Sequence, residues 1–181
     1  QQIFRLFGCY GNVMKIKIFY SNPENALVEF QDNTQAMLAK THLNNCPFMD
    51  SNIFVTISKS PIIINTPYIP ETNKFLGDFS DSKEHRYKIA GSKNFRNIAP
   101  PSPVLHLSNL CDDKDENFYK DLFKNHGTVK KSLVLKGEPK SMLLQMENIR
   151  QSVEVLVNFH NYDIDGKFLK VSFSKYQVIK D

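Results

Sequence analysis

Shifted by 116 residues, the chain lies on itself without a gap. Leu6-Phe7-x-x-x-Gly11-x-Val13 falls on Leu122-Phe123-x-x-x-Gly127-x-Val129, and Val55-x-x-Ser58-Lys59 falls on Val171-x-x-Ser174-Lys175. Of the 54 positions from 6 to 59, 12 are identical, and others exchange like for like: Val28 with Leu144, Leu43 with Phe159, Ile57 with Phe173. A fixed-offset self-match is the mark of duplicated structural units. Whatever one copy folds into, the other must fold into as well.

Each copy reads in the same order. Phe118, Leu122 and Phe123 have helical spacing and stop before Gly127, as Ile3, Leu6 and Phe7 stop before Gly8 and Gly11. A strand follows (Val13 to Ile18; Val129 to Leu135), then a turn at Asn22-Pro23-Glu24-Asn25 or Gly137-Glu138-Pro139. The return strand of a hairpin is expected at Ala26 to Phe30 and Met142 to Met146. Ala36, Ala39 and Leu43 mark one face of a second helix, matched by Ser152, Val155 and Phe159, and a last strand is expected at Ile53 to Ile57 and Leu169 to Phe173.

Only the second copy has a strand ahead of its first helix, Val104-Leu105-His106-Leu107-Ser108-Asn109-Leu110. That gives β-α-β-β-α-β, the split-βαβ pattern. The matching strand of the first copy would precede Gln1, so that motif is expected to lack its first strand. The fold expected is α+β: two ferredoxin-like units in tandem, packed through their helical faces and a structured linker. The first unit takes 1–66, the linker 67–102 and the second unit 103–181. The stretch between the copies holds Ile62-Ile63-Ile64, Tyr68, Phe75, Phe79, Tyr87, Phe95 and Ile98 with only Gly77 and Gly91, too apolar for a free tether. Tyr87, Phe95 and Ile98 are expected to bury against the helices, and 61–66 could add an edge strand to the first sheet.

Composition sets outer limits. No apolar run approaches the roughly 20 residues of a membrane-spanning helix, and no membrane partner is expected. Cys9, Cys46 and Cys111 stand far apart without C-x-x-C spacing, which suggests neither a disulfide framework nor a metal site and fits a reducing compartment. The net charge of +4 is spread evenly: 5 basic and 4 acidic groups over 1–59, 6 and 4 over 60–103, 12 and 11 over 104–181. Asp112-Asp113 and Asp115-Glu116 look like paired carboxylates, but they open a helix, where acids favour the dipole. No phosphate-binding loop, G-x-S-x-G, H-E-x-x-H or dinucleotide fingerprint occurs, so no enzyme activity, metal or cofactor is expected.

A split-βαβ sandwich leaves one sheet face open, and the RNA-recognition motif uses that face through an octapeptide on its third strand. Here Pro23 to Phe30 matches only at Ala26, Val28 and Phe30, and Pro139 to Met146 has no strict match. Asn25, Leu27, Ser141 and Leu143 occupy the places where bases usually stack, and none is aromatic. The first-strand hexapeptide Leu105 to Leu110 puts His106 where an aromatic usually sits.

The longer strings say more. His85-Arg86-Tyr87-Lys88, Gly91-Ser92-Lys93-Asn94-Phe95-Arg96-Asn97-Ile98, Pro100-Pro101-Ser102 and Leu105-His106-Leu107-Ser108-Asn109 closely resemble the junction of the third and fourth RNA-recognition motifs in the polypyrimidine tract-binding family. So do Leu6-Phe7-Gly8-x-Tyr10-Gly11-x-Val13, Glu24 to Val28 and Ser172-Phe173-Ser174-Lys175. The resemblance implies a single-stranded, pyrimidine-rich RNA ligand, motifs packed back to back, a monomer, a nuclear place of work with shuttling to the cytoplasm, and a part in splicing or other mRNA regulation with protein co-regulators. Carried over by position, Ser58-Lys59 and Ser174-Lys175 would read base edges, His106 would stack a base beside Ser108, and Leu27 and Leu143 would give apolar contact. Lys17 and Tyr20 would extend the first surface, and Lys130 with its neighbour Lys131 is either a phosphate contact or a solvated pair. Ser132 stands where the family's fourth motif has an aromatic. Replacing Ser174 and Lys175 by Ala would then weaken RNA binding without lowering the melting temperature. The alternative is a protein-interaction module that grips a peptide on a helical face.

Overall fold

The computed structural model describes residues 1–64, 76–87, 93–137 and 140–180. In the second unit β6 (Val104–Ser108), α3 (Glu116–Phe123), β7 (Val129–Leu135), β8 (Ser141–Met146), α4 (Ile149–Phe159) and β11 (Lys170–Phe173) follow one another, with a small hairpin of β9 (Asp163–Ile164) and β10 (Lys167–Phe168) before the last strand. The antiparallel sheet has the order β11-β6-β8-β7. Alternation sends Leu105, Leu107, Met142, Leu144, Met146, Val171 and Phe173 into the core and their neighbours to the opposite face. Asp115 and Asn148 open the two helices by accepting the N–H groups of Phe118 (2.9 Å) and Gln151 (3.0 Å).

The first unit repeats this with one strand fewer. It contains α1 (Gln2–Phe7), β1 (Val13–Ile18), β2 (Ala26–Phe30), α2 (Asn33–Leu43) and a hairpin of β3 (Cys46–Phe48) and β4 (Ser51–Ile53). Its sheet has the order β2-β1-β5, where β5 is Leu76–Asp78 from the stretch between the copies. Two expectations are corrected here. Residues 54–57 join no sheet, because the place beside β2 that β6 fills in the second unit holds no strand among the described residues. A strand without a ladder has nothing to satisfy its backbone groups, and Phe54 stands 79% exposed. The added edge strand is β5, not 61–66: residues 61–64 form no strand, and 65–66 lie outside the described residues. Tyr68 and Phe75 lie outside them as well.

The duplication persists in the details that hold each unit. Gln35 accepts the N–H of Asn12 (2.6 Å) and Gln151 that of Thr128 (2.8 Å). A Cβ at Gly11 or Gly127 would collide with these same glutamines, which is why both sites are glycine. Gly127 therefore serves the glutamine contact rather than ending the helix, which closes earlier at Lys124. Asn44 accepts the N–H of Val55 (3.0 Å), and the same task falls to His160 Nδ1 with Val171 (3.1 Å).

The units meet through their helices. Leu6, Tyr10, Ala39 and Leu43 from the first share one buried cluster with Val153, Val155, Leu156 and Phe159 from the second. Arg5 donates from Nη1 to the carbonyls of Val157 (3.0 Å) and Asn158 (2.9 Å), satisfying groups that the end of α4 leaves open. Gln2 reaches Asn158 (3.0 Å), and Arg150 reaches back to the main chain of Met49 and Ser51. The connecting chain fills the seam. Tyr87 is buried against Phe95 and hydrogen-bonds the carbonyl of Cys9, Tyr10 donates to Ala99 (3.2 Å), and Ile98 packs on the shared cluster. Phe79 stacks on Phe4 with ring centroids 4.4 Å apart. All three cysteines are buried free thiols, and burial pushes the Cys46 thiol up to about 12.

Two outcomes are expected. Replacing Arg5 with Ala strands the carbonyls of the α4 terminus and should lower stability by about 1–3 kcal/mol, read as a fall in the single calorimetric transition. His160 is held neutral to well below its ordinary pKa of 6.5, chiefly by burial. The unfolded chain takes up a proton as the pH falls through that value and the native state does not. Stability present near neutrality is thus lost on acidification, by up to about 1.4 kcal/mol per pH unit. His160→Asn, the residue type the first unit uses at Asn44, keeps an acceptor that cannot titrate. Urea unfolding at pH 7 and pH 5 should show a smaller acid loss in that variant than in the parent chain.

Candidate nucleic-acid interface

With the helical faces sealed together, each sheet turns its other face outward. In the second unit the cross-strand register groups the outward side chains into rows. Ser172, His106, Leu143 and Leu133 form one row, and Lys170, Ser108, Ser141 and Leu135 the next. His106 is the one ring among these eight. Partial burial lowers its pKa, so near neutrality it is an uncharged stacking surface. Serines flank it on its own row and on the next.

The first unit presents Lys17 opposite Leu27, and Lys15 opposite Glu29, on the face away from buried Ile16. Tyr20 lies beyond the end of β1 and is 65% exposed. By alternation Phe19, whose N–H bonds the Asn25 carbonyl (3.0 Å), is the aromatic that shares the face of Lys17. Counting residues from the sequence placed Tyr20 there. The hairpin register could have picked out Phe19.

Two other expected contacts, Lys130 and Leu143, sit differently, and so does Ser132, which stands where the family has an aromatic. Lys130 falls at a bulge in β7 and pairs with Glu147 (2.9 Å). Ser132 faces the helices and hydrogen-bonds Glu116, because the bulge shifts the strand by one residue; exposed Leu133 takes the outward place instead. Leu143 is only 7% exposed, since Ile179 packs over it together with Val104.

The Ser-Lys pairs sit at a turn that folds the chain back over the sheet. Ser58 Oγ accepts the N–H of Ser60 (3.0 Å), and Ser174 Oγ accepts that of Tyr176 (3.1 Å). Each hydroxyl keeps its own proton for donation. Five residues after each serine, the N–H of Ile63 bonds Glu29 Oε2 (2.6 Å), and that of Ile179 bonds Gln145 Oε1 (2.8 Å). Lys59 and Lys175 are exposed, and the Lys175 ammonium lies 5.4 Å from the Tyr176 ring centroid. Glu29, Gln145 and Ile179 are not singled out from sequence, and Ile63 only as part of the Ile62-Ile63-Ile64 run. The signal was there, because the 116-residue offset continues past Lys59 and Lys175 to set isoleucine on isoleucine.

The RNA recognition motif, also called the RRM, RBD or RNP domain, matches residues 1–82 and again 90–181. The chain belongs to that family. Its two RNA-recognition motifs are RNA-binding domains, and the family is not one of enzymes. The polypyrimidine tract-binding protein homolog 3 of Arabidopsis thaliana is 32% identical over 179 residues, which is 98% of this chain and 40% of that protein. The chain thus spans well under half the length of this relative. Among solved structures, the chain is similar to the Rna15 RRM with bound RNA (GU), at 23% identity and a TM-score of 0.41 over 44% of this chain and 89% of that one. It is also similar to the RRM3 domain of Gbp2, at 18% and 0.40 over 44% and 82%. The fold assignment itself rests on the β11-β6-β8-β7 sheet and its two helices.

The Ser174 geometry revises the expectation that its loss leaves melting unchanged. Ser174 is 5% exposed and its hydroxyl holds the turn. Ser174→Ala should cost about 1 kcal/mol in urea unfolding, whereas Lys175→Ala should leave the midpoint in place.

Proposed function

We propose that this chain binds single-stranded, pyrimidine-rich RNA on its two open sheet faces, and does so in the nucleus as part of pre-mRNA splicing or other mRNA regulation. The observation that carries the reading is the neutral His106 ring set among Ser172, Ser108 and Ser141 on one open face. A stacking ring holds any base. Serine hydroxyls, able to donate and to accept, suit the mixed donor–acceptor edges of uracil and cytosine. Lys17 and Lys170 stand on the same faces, where phosphates would pass. The name of the Arabidopsis relative points to the same class of ligand. A peptide bound on a helical face is less well supported, because the two helical faces already bury each other.

Fluorescence anisotropy with labelled CUCUCU and AGAGAG oligomers across a salt series tests this. The CU strand should bind more tightly, and its affinity should fall as salt rises. His106→Ala should weaken CU binding by about 5- to 100-fold, the scale of one lost stacking contact, with the fold retained by circular dichroism. Equal binding of both oligomers, or an unchanged affinity in the His106 variant, would overturn the proposal.

A further inference from the structure

After its Ser-Lys pair each motif sends a short strap back to the sheet face that would receive RNA. The second strap is fixed at every step. The Ser174 N–H bonds the Val104 carbonyl (2.9 Å), and Ser174 Oγ accepts from Tyr176. The Tyr176 carbonyl accepts from Ser102 (2.6 Å), and the Ile179 N–H bonds Gln145 (2.8 Å). Val104 and Gln145 are cross-strand partners, and so are Gln145 and Lys131, so the strap crosses the sheet along this row. The Ile179 side chain, 5% exposed, closes over Leu143 and Val104. In the first motif the serine turn and the Ile63–Glu29 bond recur at identical spacing, with Ile63 6% exposed.

Nothing in a solvated chain end requires this repetition. A free tail would leave Leu143 open and would not keep isoleucine, a side-chain acceptor and a serine turn in the same three places twice. Apolar side chains and main-chain N–H groups bound to the sheet compete directly with anything else that needs the same surface.

We infer that the strap of residues 174–180 is a built-in competitor for RNA: the Ile179–Gln145 clamp must open before a base can reach the central platform at Leu143, and the Ile63–Glu29 bond of residues 58–64 is its counterpart in the first motif. This rests on reading the open faces as RNA sites. His106 and Ser108 themselves stay part-exposed under a closed strap, so RNA engages there first and the position at Leu143 is gated. The apparent affinity is then the affinity of the open form reduced by the fraction of time the strap is open.

The experiment compares the parent chain with Ile179→Ser, which removes the apolar plug and leaves the backbone, in binding to CUCUCU and AGAGAG. Amide hydrogen exchange at Ile63 and Ile179 is followed with and without each RNA. If the strap is open about a tenth of the time, Ile179→Ser should raise affinity by up to about tenfold. Saturating RNA should also strip protection from the Ile179 amide in the parent chain. An affinity unchanged or lowered in a variant that keeps its circular dichroism, or an Ile179 amide still protected with RNA bound, would overturn the inference. Opening by both oligomers alike keeps the clamp and removes the pyrimidine reading, whereas CU preference over a closed strap does the reverse. If the parent chain binds neither RNA, binding gained by Ile179→Ser supports the clamp, and none gained ends it.

Discussion

The burial of helix against helix is the interaction on which the rest of this molecule depends. Leu6, Tyr10, Ala39 and Leu43 of the first motif are buried in one cluster with Val153, Val155 and Leu156 of the second. Joined, they remove each other from water, and Arg5 closes the polar end of the seam by bonding the terminal carbonyls of α4. The linker completes the seal because Tyr87, Ala99 and Ile98 occupy space that the two helical layers leave between them. Everything outward-facing follows from that. With their backs committed, both sheets can offer only their other faces, and these point away from each other.

Much of this was legible in the duplicated sequence, for a physical reason. Core positions, glycines pressed against glutamines and turn-holding serines are fixed by neighbours within one motif, so two copies of the motif repeat them. Gly11 and Gly127, Gln35 and Gln151, and Ser58 and Ser174 all recur because each answers a local contact. Where partners differ, the repeat misleads. Residues 54–57 match a true strand in the second motif yet stay irregular, since strand formation is decided by a neighbour and not by the segment's own β-branched residues. The choice of Leu76–Asp78 as edge strand was hidden for the same reason: three residues carry too little pattern to announce a pairing partner far along the chain.

On the functional face, types of residue were easier to read than their orientation. His106, Ser108 and Leu143 lie on the outward side of the sheet, yet the side on which Lys130 and Ser132 fall turns on a bulge near Val129 that no periodicity reveals. Leu143 shows a second limit. Alternation gives the face a residue points to, but not whether a later segment returns to cover it. The cover here comes from Ile179, just past the point where the self-similarity looked complete.

The linker's route has a consequence for how the chain is made. Synthesis runs from the N-terminus, and domains tend to fold as they emerge. Leu76–Asp78 joins the first motif's sheet only once it has appeared, and Leu6, Tyr10, Ala39 and Leu43 gain their partners across the seam only when Ala99 and then α4 follow. For the time needed to translate roughly the second half of the chain, an apolar surface therefore stands open beside the ribosome. The helical side of the first motif is thus sealed only by residues made after it.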